Sequence, residues 1–446
     1  MNRNITVLAA ATLAGVAVLA GGCGRAAQPS PARPSGSGTS AATAAAASLP
    51  LEYAECMRGH GVPTFPNPVD GHITLTPASG VDPNSPTVEA ANAACAKYAP
   101  TGSGPGAGAG AGGAAAEWRD FAATLKAEAA AGQFSGAVLV ARGRDTLLDA
   151  GYGLADRASN VAITPQTRFC IASIGKLFTA VAIGQLAERG RLSFDAPAGD
   201  YLTGLPASIA DHVTIGELLD MTAGLGDTVL GRANPPRTLA GMVALIATER
   251  PQFTPGSKFS YSNDDYILLG AVVQRLSGES YAAYLRQHIF GPAGMTDTGY
   301  GGYVPARVPD MAHGYALTGS KPTDVSGQPQ IANPSGGAYS TTGDLLKFAT
   351  ALLEHRLLTP AMTATILAPR VNSPQPGGPA VDEYGYGFAY QRINGVTVVG
   401  HNGGTAGYEG QLDIYPRTGS VAVVLANADG VMAPVIQRTE AILTGA

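Results

Sequence analysis

The chain has 446 residues, of which 45% are hydrophobic and only 14% charged, against about 25% charged in an ordinary globular protein. That length allows two or three domains. A net charge of −5 and the lack of basic runs exclude the electrostatic footprint of a nucleic-acid-binding protein.

Residues 1–23 have the layout of an export signal. Arg3 gives a positive start, and Ile5 to Ala20 is a run of small and apolar residues too short for a comfortable membrane span. The run ends Leu19-Ala-Gly-Gly-Cys23, which resembles a bacterial lipobox with Cys23 as the lipidated residue. Leu19 stands four residues before the cysteine, where the usual pattern has it three before. The expectation is a lipoprotein on the outer face of the cell membrane; plain secretion is the alternative. Residues 24–49 are Ala, Ser, Pro, Gly and Thr, unable to form a core, and read as a disordered tether.

Residues 50–100 regain pattern and read as a small module. Leu51 to His60 is a candidate helix, Ile73 to Thr76 a candidate strand, and Ser85-Pro86 opens a second helix running to about Lys97. Cys56 and Cys95 each fall near a helix end. In an exported chain they read as a disulfide, which a unit of about 50 residues needs because its core is small. No metal site is indicated, because His60 and His72 are read as lacking helical or finger spacing to the cysteines. The stretch from Tyr53 to Pro68 resembles a module of actinobacterial lipoproteins, which implies a location and no activity. Residues 101–116 read as a Gly/Ala-rich linker. Its nominal Gly108-x-Gly110-x-x-Gly113 has no strand before it and is not a nucleotide fingerprint.

The remaining residues, 117–446, read as one domain. A helix is expected at Glu117 to Ala131, then a hairpin of 136–141 and 146–151. Helical stretches follow at 173–189, 215–222, 239–248, 263–276, 279–289 and 341–354. Strands follow at 386–391, 396–400, 410–415 and 420–426, with a last helix at 433–443. This order gives a fold of the α/β (α+β) class: an antiparallel sheet built from both chain ends, flanked by helices, with a mostly helical subdomain inserted.

Three pieces of chemistry fall in this domain. Ser173 and Lys176 stand three residues apart, so on a helix they share a face. The helix that follows is apolar all round, so the lysine sits at the head of a buried element. A serine hydroxyl needs a base beside it, and a lysine serves if its neutral form is favoured. Tyr261-Ser262-Asn263 lies on a loop before the next long helix. A lysine cation nearby would favour the Tyr261 phenolate, letting it take or relay the Ser173 proton. Asn263 offers a donor and an acceptor. His401-Asn402-Gly403-Gly404 follows a buried strand, where glycines let a backbone approach a ligand and present N–H groups to it. Cys170 reads as a small buried hydrophobe.

Ser173-Ile-Gly-Lys176, Tyr261-Ser-Asn263 and His401-Asn-Gly403 occur in that order, about 90 and 140 residues apart. The set resembles the serine β-lactamase and penicillin-binding D,D-peptidase superfamily, on its class C side, over about 130–430. Supporting stretches include Thr214 to Gly226, Gly336 to Thr342, Tyr384 to Phe388 and Gly400 to Tyr408. The resemblance implies that Ser173 is acylated and that Lys176 and Tyr261 manage its proton. It implies that Asn263 orients the substrate amide, and that the N–H groups of Ser173 and Gly404 form an oxyanion hole beside His401 and Gly403. His401 stands where many β-lactamases have a lysine. That departure weakens a β-lactamase assignment, since histidine-type third motifs recur among D,D-carboxypeptidases, D-amino-acid amidases and related esterases. The first expectation is an exported, membrane-tethered serine hydrolase acting on an amide or ester, D,D-carboxypeptidase-like or β-lactamase-related, with an esterase or D-amino-acid amidase on the same machinery as the alternative. A site acylated without turnover, as in a sensor, is the reading of another class. No cofactor or metal is implied. The expected partners are a peptidoglycan-like peptide, a β-lactam or an ester, together with the membrane through the N-terminal lipid.

Overall fold

The computed structural model describes residues 51–67, 81, 86–95, 111–301, 305–318, 321–328, 331–373 and 382–445. The expected signal, Cys23, the tether, the strand at 73–76 and residues 101–110 of the linker lie outside them. The chain divides into two compact units near residue 108. No helix among the described residues is long and apolar enough to cross a membrane.

In the smaller unit, helices α1 (Leu51–Gly59) and α2 (Pro86–Cys95) are joined by the Cys56–Cys95 disulfide. Tyr53, Met57, Val62, Phe65 and Val88 form its core. The reading of His60 needs correction. It follows Cys56 by four residues, one helical turn, and its Nδ1 lies 3.6 Å from Cys56 Sγ and 3.8 Å from Cys95 Sγ. These three donor atoms cluster, but each has a partner. The sulfurs are bonded to each other, and Nδ1 lies 3.0 Å from the Cys56 carbonyl oxygen, to which it can only donate.

The larger unit begins with α3 (Ala111–Ala130), which starts six residues before the expected Glu117 and takes up the end of the linker. Its centre is an eight-stranded antiparallel sheet. The strands are β1 (Gly136–Arg142), β2 (Asp145–Tyr152), β3 (Pro369–Asn372), β4 (Glu383–Gly385), β5 (Ala389–Ile393), β6 (Val396–Thr405), β7 (Tyr408–Tyr415) and β8 (Ser420–Ala426). Their order is β3-β4-β5-β6-β7-β8-β1-β2, so the two chain ends meet where β1 pairs with β8, Gly136 opposite Ala426. The sheet is therefore built from both ends, as the element order implies.

The continuous apolar run of β1 follows from burial on both faces. Ala137, Leu139 and Ala141 point into the main core, while Val138 and Val140 point toward Trp118, Phe121 and Leu125 of α3. Strand β8 splits the same way: Val421, Val423 and Leu425 face the main core, Ala422 and Val424 the other layer. The last helix, α6 (Ala433–Thr444), contributes Val435 and Leu443 to the α3 side. The inserted helices pack around α4 (Gly175–Glu188), which is buried from Gly175 through Leu186. The next long helix, α5 (Asn263–Ser277), lies in the same core.

Several boundaries differ from the sequence reading. Of the strand expected at 386–391 only 389–391 is extended, as the start of β5; residues 386–388 bend, and β4 before them was not expected. Gly387 adopts a left-handed φ of +86°, and a Cβ there would come within 2.8 Å of the Ala180 side chain, so the chain turns at that point. Strand β3 was not expected. The helix expected at 279–289 is a short α-helix, Tyr281–Leu285, that widens into a π-turn at Arg286–Phe290. That expected at 215–222 stops at Leu219, with Met221 at φ 59°.

Phe178 of α4 sits edge-on between Phe290 and Phe348, with ring centroids 5.1 Å and 4.9 Å away. Truncating it leaves a cavity where three elements meet. Phe178→Ala is expected to cost about 3–5 kcal/mol of unfolding free energy, read from the denaturant midpoint of the larger unit's transition. A change under ~1 kcal/mol would mean that this cluster does not hold α4.

Candidate active site

Three segments converge at the head of α4. Phe169 and Cys170 pair in a small sheet with Ala338–Ser340, so the chain entering the Ser173 turn is tied to the chain leaving Ser335. Ala172 is held at φ 41°, a conformation uncommon for a residue with a Cβ, immediately before Ser173. Ser173 lies in a one-turn 3-10 helix, Ala172–Ile174, that leads into α4. Gly336 makes the close approach possible: a Cβ there would lie 3.0 Å from the Ala172 carbonyl. Tyr261 and Asn263 flank the start of α5. Ser262, between them, is the cap, its hydroxyl accepting from the Asp265 N–H. Asp227 fixes the turn from the other side by accepting the Asn263 N–H at 2.8 Å.

Lys176 is fully buried. Its Nζ lies 2.6 Å from Asn263 Oδ1, 2.9 Å from the Ser335 carbonyl oxygen and 3.1 Å from Ser173 Oγ. Burial drives its pKa from 10.5 down to about 7, although the carboxylates of Asp227 and Asp265 oppose the change. A neutral amine has two N–H groups and one lone pair. Asn263 Oδ1 and the Ser335 carbonyl can only accept, so they take both N–H groups. The lone pair then faces Ser173 Oγ–H, the arrangement a general base requires.

The phenolate expected at Tyr261 is a correction. Burial raises the Tyr261 pKa above its ordinary value, and its hydroxyl donates to Ser173 Oγ at 2.8 Å. With both groups out of water, a neutral amine beside a neutral phenol costs less than an ion pair. Tyr261 therefore holds a proton where a leaving group would need one, and Lys176 is the group able to remove one.

His401 is buried on β6, with its ring 6.2 Å from that of Tyr261. Burial, reinforced by Lys176, lowers its pKa to about 3. Strand β5 pairs with β6 only up to Gly400, so on that side His401–Thr405 has no strand neighbour in the sheet among the described residues. A Cβ on Gly403 would lie 2.2 Å from the Ile171 carbonyl oxygen and 3.0 Å from Ser173 N, so only glycine lets β6 run against the nucleophile's backbone. A Cβ on Gly404 would meet nothing within 4 Å, which places that residue against open space.

The structure thus brings Ser173, Lys176, Tyr261, Asn263, His401 and Gly403 into one group. Two participants escaped the sequence reading. The Ser335 carbonyl carries no side-chain signal; its only trace was the adjoining Gly336-Gly337. Tyr384, whose hydroxyl lies 3.1 Å from His401 Nε2, stood in a stretch noted for resemblance without a role.

A nucleophilic serine with a buried lysine base and a protonated tyrosine defines a serine hydrolase of the acyl-enzyme type. The family model described as Beta-lactamase matches residues 121–446, and the chain belongs to that family. It is 29% identical over 319 residues to penicillin-binding protein 4* of Bacillus subtilis, covering 67% of this chain and 69% of that one. A penicillin-binding protein from Bacillus halodurans superposes with a TM-score of 0.64 at 33% identity, covering 72% of this chain and 98% of that one. A D-stereospecific amidohydrolase from a Streptomyces species gives 0.60 at 26%, covering 73% and 99%.

Only the neutral amine has a lone pair to offer, so acylation must follow Lys176 deprotonation. kcat/KM for any acylating substrate is expected to rise with pH through about 7. Below roughly pH 6 it should fall about tenfold per unit, because each unit removes nine tenths of the remaining neutral amine. A pH–rate profile that declines as pH rises through 7 would contradict this assignment.

Proposed function

We propose that this protein is an exported hydrolase that opens amides of D-amino acids, or of peptides ending in them, through a Ser173 acyl-enzyme. Lys176 takes the Ser173 proton as Oγ attacks the carbonyl carbon. The N–H groups of Ser173 and Gly404 receive the developing oxyanion, and Asn263 orients the substrate amide. The Tyr261 hydroxyl passes its proton to the departing nitrogen and is reprotonated from Lys176. Water then attacks the acyl carbon, with Lys176 again as base, and releases Ser173. The observation carrying this reading is the Lys176 amine, its two N–H groups held by Asn263 and Ser335 and its lone pair left for Ser173. The likeness to a D-stereospecific amidohydrolase supports the choice of substrate.

A second reading, D,D-carboxypeptidase or β-lactam chemistry, is favoured by the likeness to penicillin-binding proteins. An esterase on the same machinery is the third. For location, the export signal and Cys23 support a lipid-anchored protein outside the membrane, where such peptides and drugs are met.

The reading is tested by intact-mass spectrometry of the purified protein mixed with D-phenylalanine amide, an acetylated D-alanyl-D-alanine peptide and benzylpenicillin. Ser173→Ala is expected to abolish every adduct and all turnover, with wild type releasing ammonia from the amide. A persistent Ser173-dependent penicillin adduct without amide turnover would favour the second reading. Adducts or turnover retained in Ser173→Ala would refute both. Separately, Cys23→Ala is expected to move the protein from the membrane pellet to the soluble fraction. An unchanged distribution would overturn the lipid anchor.

A further inference from the structure

The Ser335 carbonyl takes one of the two N–H groups of the Lys176 amine, and what aims it lies outside the three motifs. Asn333-Pro334-Ser335-Gly336 is a tight turn, closed by the Gly336 N–H donating to the Asn333 carbonyl oxygen at 3.1 Å. Proline in its second place sets the φ that such a turn needs. The turn is buried, with Asn333 5% and Ser335 1% exposed. Asn333 Oδ1 accepts the Ser335 N–H at 2.9 Å, and the Ser335 hydroxyl donates to the same oxygen. The other end of that amide is also engaged, Nδ2 donating to the Ile331 carbonyl oxygen at 3.1 Å.

Every polar group of two consecutive peptides is thereby assigned. The Pro334 carbonyl accepts from Thr179 Oγ1 of α4 at 2.7 Å, and Thr179 in turn accepts from the Tyr281 hydroxyl. The Ser335 N–H of the same peptide goes to Asn333 Oδ1. In the next peptide the Gly336 N–H goes to the Asn333 carbonyl. A trans peptide points its N–H and C=O in opposite directions, so the Ser335 carbonyl is turned toward Lys176 Nζ, 2.9 Å away. Two glycines follow, and glycine offers little resistance to rotation of this peptide. The Asn333 side chain supplies the resistance: without it, the Ser335 N–H and hydroxyl would be left buried and unpaired unless the turn moved.

We propose that Asn333 is a positioning residue for acylation. By holding Ser335, it keeps the Ser335 carbonyl on Lys176 Nζ and so leaves the amine's lone pair to face Ser173. This inference rests on the Ser173 acyl-enzyme reading and extends its machinery to a residue that touches neither the nucleophile nor the base. The titratable groups acting on Lys176 are Tyr261 and Asp227 from the loops before α5, Asp265 and Tyr266 of α5, and His401 of β6. The turn adds to these only a carbonyl dipole. Such an oxygen stabilises an ammonium more than a neutral amine, so misdirecting it while the amine stays buried lowers the proton affinity of Lys176.

The test compares the full-length protein with Asn333→Ala and Asn333→Asp on p-nitrophenyl acetate, an activated neutral ester whose leaving group needs no proton. In Asn333→Ala the high-pH plateau of kcat/KM is expected to fall at least tenfold, as misplaced catalytic groups do. The midpoint of the pH profile should move below that of wild type by about half a unit. A merely structural role would lower the rate equally at every pH and leave the midpoint in place; that result, or a plateau within about twofold of wild type, would overturn the proposal. Asn333→Asp keeps the acceptor oxygen and is expected to retain the plateau within about threefold. A folded Asn333→Asp protein as slow as Asn333→Ala would also overturn it. One readout needs no variant: in wild type, the Ser335, Gly336 and Gly337 amide hydrogens should exchange at least ~100-fold more slowly than in an unfolded chain, and unprotected amides would refute the turn's role. Failure of the Ser173 reading looks different. Wild type would then not be acylated at Ser173 by the ester, while the 15Nζ resonance of Lys176 would still titrate at lower pH in Asn333→Ala.

Discussion

A primary amine with no contact with solvent is the constraint on which the rest of this site depends. Left charged, Lys176 would need ion partners to replace the water it has lost. It is instead surrounded by neutral oxygen atoms: an amide, a backbone carbonyl and a hydroxyl. These stabilise an amine that gives two hydrogens and keeps one lone pair. Asp227 and Asp265 pull the other way and hold the pKa at about 7 instead of letting it fall further. The balance suits a base that must take a proton and return it at neutral pH. Each oxygen comes from a different segment, so the geometry exists only when α4, α5 and the Ser335 loop are all docked.

The local irregularities are consistent with that requirement. Ala172 bears the backbone strain that aims Ser173 toward the amine. Gly336 and Gly403 are small because other backbones pass where their side chains would be. The apolar rings around Phe178 anchor the helix that carries the lysine. What packs the core and what sets the proton affinity of the base are therefore the same elements, seen from opposite ends of α4. His401 and Tyr261 remain neutral by the same logic, so the polar work at a carbonyl falls to backbone N–H groups and to the mobile proton.

Much of this was legible in the sequence because it is local. Ser173 and Lys176 share a helix face by spacing alone, and Tyr261 to Asn263 announce a helix start. The mixed architecture followed from the order of apolar runs, and the disulfide from two cysteines at helix ends. Protonation states were not legible. The phenolate expected at Tyr261 assumed a charged neighbour, and the burial that neutralises that neighbour comes from residues far along the chain. Ser335 acts through its carbonyl, and Tyr384 through a contact across β4 and β6, neither of which marks the sequence. The turn at Gly387 was hidden because its flanking residues are as apolar as a continuous strand. His60 was misread for a simpler reason: its four-residue spacing from Cys56 is helical, and only the surrounding contacts show that its Nδ1 is engaged by the Cys56 carbonyl.

The charge on Lys176 is the claim from which the others descend, and it can be observed without any substrate. Titrating the resting protein while following the 13Cε and 15Nζ resonances of Lys176, assigned by their loss in Lys176→Arg, reads that charge directly. The account predicts a midpoint near 7. A midpoint close to the ordinary lysine value of about 10.4 would mean that the amine is a fixed cation in the working range. The base for Ser173 would then have to be sought elsewhere.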